Sequence, residues 1–322
     1  MNILIYEHFL GQDKNINLSP EVLHEAKLII NSLIIDISGL HDKPKISLFI
    51  SKKNRYLFSS HDINFIDTSS QDLYNLIDSD FNYNEIYILA PEENLILHDI
   101  IKNLEIKNLN TCNCSSKFIK LTSNKYKINS VLKKSKDYTI ETYSNFRELL
   151  KDKKIIAKIV DGCGAENLYV FDNLIDMKNY KSKLTKNHIY QYYYDGNIIG
   201  INIVANKNKY KIISINEQIY EKFNNNELVL KKIEIGKFNH MIDEFTKFVE
   251  NILQNFDGYY GFFGIDAILT SDKKIIFLEI NPRLTTSYIG LSKSIGFNVM
   301  QLYYDLAFKH DIINNKKFSI NI

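Results

Sequence analysis

Two carboxylates and a carboxamide in the last quarter of the chain, Asp266, Glu279 and Asn281, have the spacing that says most about chemistry. The apolar runs FFGIDAILT and KIIFLEIN are joined through Ser271-Asp272-Lys273-Lys274, and Asp266 and Glu279 lie equally far from Asp272-Lys273. A hairpin turning there sets the two acids directly across from each other. Asn281 shares Glu279's face, because side chains on one face of a strand recur at every second residue. Opposed carboxylates on half-buried apolar strands repel and lose hydration, so something positive must sit between them. Oxygen-only ligands suit a hard divalent cation such as Mg²⁺. A Lys or Arg would satisfy the same acids as an ion pair, and Arg283 is near in sequence. Spacing alone leaves both open.

Further candidates lie upstream. The strand-like run KIIAKIV precedes Asp161-Gly162-Cys163-Gly164-Ala165. Such a loop can bring backbone N–H groups to phosphate oxygens, with Lys158 as a nearby charge. It lacks the third glycine of the dinucleotide fingerprint and the Gly-Lys-Ser/Thr of a P-loop, so a plain glycine turn stands beside that reading. Lys125, at the start of a helix, is a possible phosphate contact or a solvated lysine. The run Gln191-Tyr192-Tyr193-Tyr194-Asp195-Gly196 offers a purine an extended backbone and an aromatic wall, or is simply core. Cys112 and Cys114 could be half of a zinc site, but no second Cys/His pair follows at ligand spacing, and reduced thiols are the default reading.

The elements that must position these groups begin with a short apolar strand at 2–6 and a helix over 20–38 that starts at Ser19-Pro20. Strands at 45–51, 64–67 and 85–90 alternate with helices SQDLYNLI and ENLILHDIIKNL, which implies an open, mostly parallel sheet covered by helices. Pro91-Glu92-Glu93 follows the last strand. It reads as a helix N-terminus carrying acids favourable to the helix dipole, although strand ends of such sheets also line clefts.

From about residue 117 a smaller α+β unit follows, with a helix over 124–134, a strand near YTIETY, a helix at 144–151 and the strand at 154–160. HIYQYYYDGNIIGINIVANKNKYKIISINEQ reads as successive strands linked by Asp195-Gly196 and by residues 206–208. A helix at about 238–256, strands at 261–269 and 274–281 and two closing helices complete the chain.

With 322 residues, 45% apolar and 24% charged, the chain is expected to fold as a globular protein of two or three units. A net charge of +2 gives no global electrostatic case for nucleic acid or an acidic membrane. No run approaches the ~18–20 apolar residues of a membrane span. The start MNILIYEHFL carries Glu7 and no basic flank, so a cytoplasmic location is expected.

Taken in order, a Lys-bearing helix, Lys158 before a glycine loop, the Gln-Tyr-Tyr-Tyr-Asp-Gly strand end and Asp266…Glu279-Ile-Asn281-Pro-Arg283 resemble the ATP-grasp carboxylate–amine ligases. MNILIYEHFLG, the helix with His24-Glu25-Ala26, LAPEENLIL, LTSNKYKINSVL, SINEQ and LEINPRLTTSYIGLS are similar to the subgroup typified by the tyramine–glutamate ligases of methanofuran biosynthesis. The resemblance implies an α/β and α+β ATP-grasp fold. An N-terminal open α/β pre-ATP-grasp domain would span 1–116, a central ATP-lid subdomain 117–189, and a C-terminal ATP-grasp subdomain 190–322.

It also implies roles. Lys125 and Lys158 would hold ATP phosphates, with Asp161, Gly162, Cys163 and Gly164 closing over them as a mobile lid. Gln191 and the backbone of Tyr192, Tyr193 and Tyr194 would meet adenine. Asp266, Glu279 and Asn281 would hold one or two Mg²⁺, with Mn²⁺ as a substitute, and this favours the metal over the ion pair. Arg283 would stabilise the moving phosphoryl group or the substrate carboxylate, and Thr285, Thr286 and Ser287 would line the acceptor pocket. The implied partners are a small-molecule amino-acid carboxylate and an amine, with L-glutamate and tyramine first, and a homodimer is compatible with it. Another amino-acid or peptide ligase, or a non-catalytic ATP-binding regulator, stands beside this. Asn124 replaces an expected Asp, Ile159 a proline and Ile198 a ribose-contacting acid, and Ile235-Gly236-Lys237 is a shortened glycine-rich stretch.

Overall fold

The computed structural model describes residues 1–12, 19–58, 63–68, 73–78, 82–132, 138–163, 167–206, 209–305 and 318–322. It opens with β1 (Asn2–Glu7), α1 (His8–Gly11), α2 (Pro20–Ser38), β2 (Lys45–Ile50), β3 (Ile63–Asp67), α3 (Leu73–Asp78), β4 (Glu85–Leu89) and α4 (Ile96–Ile106). The four strands form a parallel sheet in the order β3-β2-β1-β4. Their near-continuous apolar runs follow from burial on both faces. Ile3 and Ile5 pack toward α2, while Leu4 and Tyr6 pack with Ile100 and Ile101 of α4. Ser19 caps α2 by accepting the Val22 N–H, and Pro20 occupies its first turn, as the sequence predicts. Strand order reverses between β1 and β4, so the carboxyl ends of these two strands form a switch-point crevice.

Next come α5 (Ser116–Thr122), α6 (Lys125–Leu132), β5 (Thr142–Tyr143), β6 (Ile155–Ile159), β7 (Tyr169–Phe171), α7 (Leu174–Asn179) and β8 (His188–Tyr192). The four strands form an antiparallel sheet ordered β5-β8-β6-β7, with its own small core around Ile155, Phe171 and Met177. The helix expected at 144–151 is only a single 3₁₀ turn at Phe146–Glu148. Leu149 is extended and buried, and the Leu150 N–H bonds the Tyr192 hydroxyl, which draws the chain out of helical geometry. The YTIETY strand contracts to Thr142–Tyr143. The tail of the 124–134 helix beyond Leu132 lies outside the described residues, as do 207–208 and part of SQDLYNLI.

The remaining elements are β9 (Asn197–Asn206), β10 (Lys209–Lys222), β11 (Leu228–Ile235), α8 (Ile242–Leu253), β12 (Gly261–Leu269), β13 (Ile275–Asn281), α9 (Leu291–Ile295), α10 (Val299–Tyr304) and β14 (Phe318–Asn321). They form an antiparallel sheet ordered β13-β12-β9-β10-β11-β14. Phe245, Phe248 and Ile252 of α8 cover one face, and Val299, Met300 and Leu302 of α10 pack on the other. Strands β11 and β14 were not among the expected elements. The signal for β11 is the hairpin turn through Asn224-Asn225-Asn226, where Asn226 takes φ +64. Among the described residues no helix is long and apolar enough to cross a membrane.

Candidate active site

The hairpin between β12 and β13 pairs Asp266 with Glu279 and Gly264 with Asn281, as the spacing predicts. The reason is less direct than the spacing argument supposes. At the loop, Thr270 N–H bonds the Lys274 carbonyl at 3.0 Å and Lys273 takes φ +63, so Leu269 pairs with Ile275, one residue out of that register. A bulge at Leu278, which lacks a cross-strand partner, restores the pairing at the acids.

Around Asp266 the side chains are chained together. The Tyr220 hydroxyl donates to Gln218 Oε1 at 3.0 Å, Gln218 Nε2 donates to Asp266 Oδ1 at 3.0 Å, and Asn281 Nδ2 donates to Asp266 Oδ2 at 2.9 Å. Gly200 is needed beside them, since a Cβ there would lie 2.7 Å from Gln218 Nε2 and 3.4 Å from Asp266 Oδ1. Burial first, and then the charge of Glu279, push the Asp266 carboxyl up to about 7. Burial opposes ionisation of Glu279 too, but Lys125 at 3.4 Å and Lys158 at 3.8 Å outweigh it and hold that carboxyl below its ordinary value. Burial lowers the Lys158 ammonium to about 8 against the pull of Glu279. The ion-pair alternative is therefore met in part, by two lysines and not by Arg283.

Arg283 instead faces Glu92, with Nε 3.0 Å from Oε2, and its Nη1 donates to the Leu284 carbonyl at 3.1 Å. Glu92 is only 4% exposed. The reading of Pro91-Glu92-Glu93 as helix-capping acids is corrected: Asn94 and Leu95 both take positive φ, so α4 begins beyond them and Glu92 is released toward the cleft. Glu25 of α2 likewise reaches Thr286, accepting its hydroxyl. Thr285 and Ser287 hydroxyls donate to Asn202 Oδ1 at 3.1 and 2.9 Å. No pattern in the sequence marks Asn202. Glu25, Glu92 and Gln218 stand within segments that carry the resemblance, the helix with His24-Glu25-Ala26, LAPEENLIL and SINEQ, but the resemblance implies no role for them.

Glu25, Lys125, Lys158, Gln218, Tyr220, Asp266, Glu279, Asn281, Arg283 and Thr285 to Ser287 line one cleft of about 400 Å³, a volume ordinary for a small-molecule site. Ile140, Ile156, Ile268 and Leu278 make one end apolar beside Gln191 to Tyr194, while Lys125, Lys158, Asp266, Glu279, Asn281 and Arg283 make the other polar. Lys125 Nζ also bonds the Gly162 carbonyl at 2.5 Å, which anchors the glycine loop. Asp161 accepts the Asn94 N–H at 3.2 Å, and Cys163 lies near enough to Arg283 to interact with it electrostatically. Gly164 lies outside the described residues. Gln191 donates to Thr142 Oγ1 at 2.8 Å, and the Tyr193 N–H is committed to the Lys154 carbonyl at 3.0 Å, so that amide is not open to a base. Cys112 and Cys114 are buried away from the cleft, bonded to Glu85 and to the Tyr260 carbonyl.

The donor set fits a hard divalent cation. Its side chains present carboxylate and amide oxygens, and Asp266, whose ionisation burial and Glu279 oppose, is the group whose anionic form a cation would favour.

Beyond the cleft, Glu7 ends β1 at the switch point and accepts the Leu10 N–H at 2.7 Å. Burial raises its carboxyl from 4.5 to about 7. The unfolded chain ionises this group from about 4.5 upward while the folded chain keeps it protonated. Its contribution to stability is therefore complete below pH 4.5 and lost as pH rises through 7. Glu7→Gln keeps an acceptor for Leu10. It is expected to stabilise the protein at pH 8 by on the order of 2 kcal/mol and to make no difference near pH 4. Thermal melts of both proteins across that range check it, and equal melting temperatures at pH 8 would count against it.

The ATP-grasp domain model matches residues 122–287, just over half of the chain, and takes in the cleft from Lys125 to Ser287. The chain belongs to the ATP-grasp family and is a ligase. It is 29% identical over 301 residues to the tyramine–L-glutamate ligase of Methanocaldococcus jannaschii, covering 90% of this chain and 84% of that protein. An ATP-grasp superfamily protein from Archaeoglobus fulgidus has the same fold, with a TM-score of 0.75 and 20% identity, covering 100% of this chain and 92% of the other. The biotin carboxylase domain of Hydrogenobacter thermophilus 2-oxoglutarate carboxylase, whose crystals hold MgADP, aligns with a TM-score of 0.69 and 10% identity, over 96% of this chain and 70% of that one.

Proposed function

We propose that the protein joins the side-chain carboxylate of L-glutamate to tyramine at the expense of ATP, releasing ADP and phosphate. The observation that carries this reading is the convergence of Lys125, Lys158, Asp266, Glu279, Asn281 and Arg283 at one end of a cleft whose other end is apolar. ATP fits that polarity, with its base against Ile140, Ile268 and the Gln191–Tyr194 segment and its phosphates at the lysines. The likeness to a tyramine–L-glutamate ligase supports the choice of substrates.

A carboxylate resists amines because its oxygen is a poor leaving group at neutral pH. Attack of the carboxylate oxygen on the γ-phosphorus expels ADP and gives an acyl phosphate. The amine then attacks the acyl carbon, phosphate leaves, and the amine loses a proton. Lys125 and Lys158 offset charge on the transferring phosphoryl group, and Arg283 orients its oxygens or those of the substrate. Asp266, Glu279 and Asn281 would hold Mg²⁺, with Mn²⁺ as a substitute, and the cation supplies charge neutralisation on the phosphates. The loop from Asp161, whose Gly162 carbonyl bonds Lys125, would exclude water that hydrolyses the acyl phosphate. In this reading 1–116 is the pre-ATP-grasp domain, 117–189 the ATP lid, and 190–322 the subdomain that holds Mg-ATP and the acceptor.

ADP and phosphate release from Mg-ATP should require both L-glutamate and tyramine, and the product mass should equal their condensation. Release with a different acid–amine pair alone would overturn the substrates. Nucleotide binding without release on any pair would overturn the ligase.

A further inference from the structure

Arg283 is the cation whose orientation matters most to the proposed reaction, and β13 does not fix it. It stands past the end of that strand, on a long side chain with several rotamers. What fixes it is Glu92, which arrives from the loop after β4 on the opposite side of the switch-point crevice. Glu92 accepts from Nε at 3.0 Å, while the Leu284 carbonyl takes an Nη1 hydrogen at 3.1 Å. Two acceptors at different edges define the plane of the guanidinium, and hydrogens on Nη1 and Nη2 are left for an oxyanion. Glu92 Oε1 is buried with no hydrogen-bond partner, so the charge of this carboxylate is answered by Arg283.

We infer that Glu92 is a positioning residue: it holds the Arg283 guanidinium in the plane needed to grip an oxyanion of the substrate carboxylate or acyl phosphate. The N-terminal sheet thereby sets the geometry of a group carried by the C-terminal sheet. Arg283 lines the cleft together with Thr285, Thr286 and Ser287, and Glu25 of α2 accepts the Thr286 hydroxyl there. This inference rests on Arg283 acting on a substrate oxyanion, as proposed above.

The experiment compares Glu92→Ala, Glu92→Gln and Arg283→Lys with the double variant Glu92→Ala/Arg283→Lys in the full chain. Activity is read as ADP release with Mg-ATP, L-glutamate and tyramine. Binding is read separately as the affinity for Mg-ADP, and folding as the melting temperature. A guanidinium released from its plane should cost about 10²-fold in kcat/KM for the carboxylate substrate. Affinity for Mg-ADP should change less than about threefold. Glu92→Gln, which still presents an oxygen to Nε, should recover most of the loss. If the alanine variant does not fold, Glu92→Asp takes its place, retracting the acceptor by one methylene and lowering kcat/KM with the nucleotide still bound.

The cycle decides the matter. Positioning through Arg283 requires the Glu92 substitution to add less than about threefold in the Arg283→Lys background. Losses that multiply in full, or a fall in Mg-ADP affinity matching the fall in activity, would show Glu92 acting through the fold and overturn the inference. An Arg283→Lys enzyme with wild-type kcat/KM would remove Arg283 from the reaction and the inference with it, while release of ADP by the wild type would still uphold the ligase.

Discussion

Asp266→Asn is expected to lower kcat about 10³-fold while leaving the cation-free protein at least as stable as the wild type. The two halves of this result have one cause. Asp266 is buried opposite Glu279, and its carboxyl is raised by that burial and by its neighbour's charge. An anionic oxygen there is costly until a cation arrives, so a neutral amide relieves repulsion in the empty site and weakens the filled one. Several kcal/mol of charge stabilisation at the phosphates correspond to about three decades of rate. The amide also meets two donors, Gln218 Nε2 and Asn281 Nδ2, and can accept from only one without a flip of the other. A flip of Gln218 is tolerated, because the Tyr220 hydroxyl can accept as well as donate. Turnover titrated against Mg²⁺, together with melting curves in EDTA, checks both halves. Full activity at saturating Mg²⁺ would remove Asp266 from the ligand set.

Lys158→Met is the second large effect, expected at 10²- to 10³-fold in kcat/KM for ATP, the range seen when one preorganised donor to a developing oxyanion is removed. Lys158 is 8% exposed, and burial has already lowered its ammonium to about 8, so the folded protein bears a desolvation cost for keeping this charge in place. Met fills nearly the same volume, and Glu279 keeps Lys125 at 3.4 Å, so stability should change little. The split between the lysines is diagnostic. Lys125 also bonds the Gly162 carbonyl, so Lys125→Met should loosen the loop and raise the uncoupled share of the remaining ATP hydrolysis, whereas Lys158→Met should lower coupled and uncoupled turnover in proportion. Phosphate release measured with and without the amine separates them, and an unchanged kcat/KM in Lys158→Met would take that residue out of the phosphate site.

How much of this was legible in the sequence depended on the range of the interactions. Asp266, Glu279 and Asn281 were found because cross-strand pairing in a hairpin is local and side chains alternate with period two. Even there the loop was read one residue off, and the bulge at Leu278 restored the pairing. The capped helix α2 and the parallel runs of β1, β2 and β4 were legible for the same reason: Ser19, Pro20 and continuous apolar stretches act over a few residues. The 144–151 segment was misread because Tyr192, more than forty residues away, takes the Leu150 N–H.

By itself the sequence determined that this chain carries an oxygen-rich hairpin, two candidate phosphate lysines in the right order, and alternating strands and helices ahead of them. Only the tertiary structure decided which group answers which acid: the ammonium groups of Lys125 and Lys158 for Glu279, the Arg283 guanidinium for Glu92, and the Thr286 hydroxyl for Glu25. It also decided that Asp266 resists ionisation while Glu279, across the same ladder, does not. The physical reason is that charge pairing and desolvation depend on distance and burial in space. Those are set by how the two antiparallel sheets and the helices beside them meet around one cleft, and no spacing along the chain encodes them.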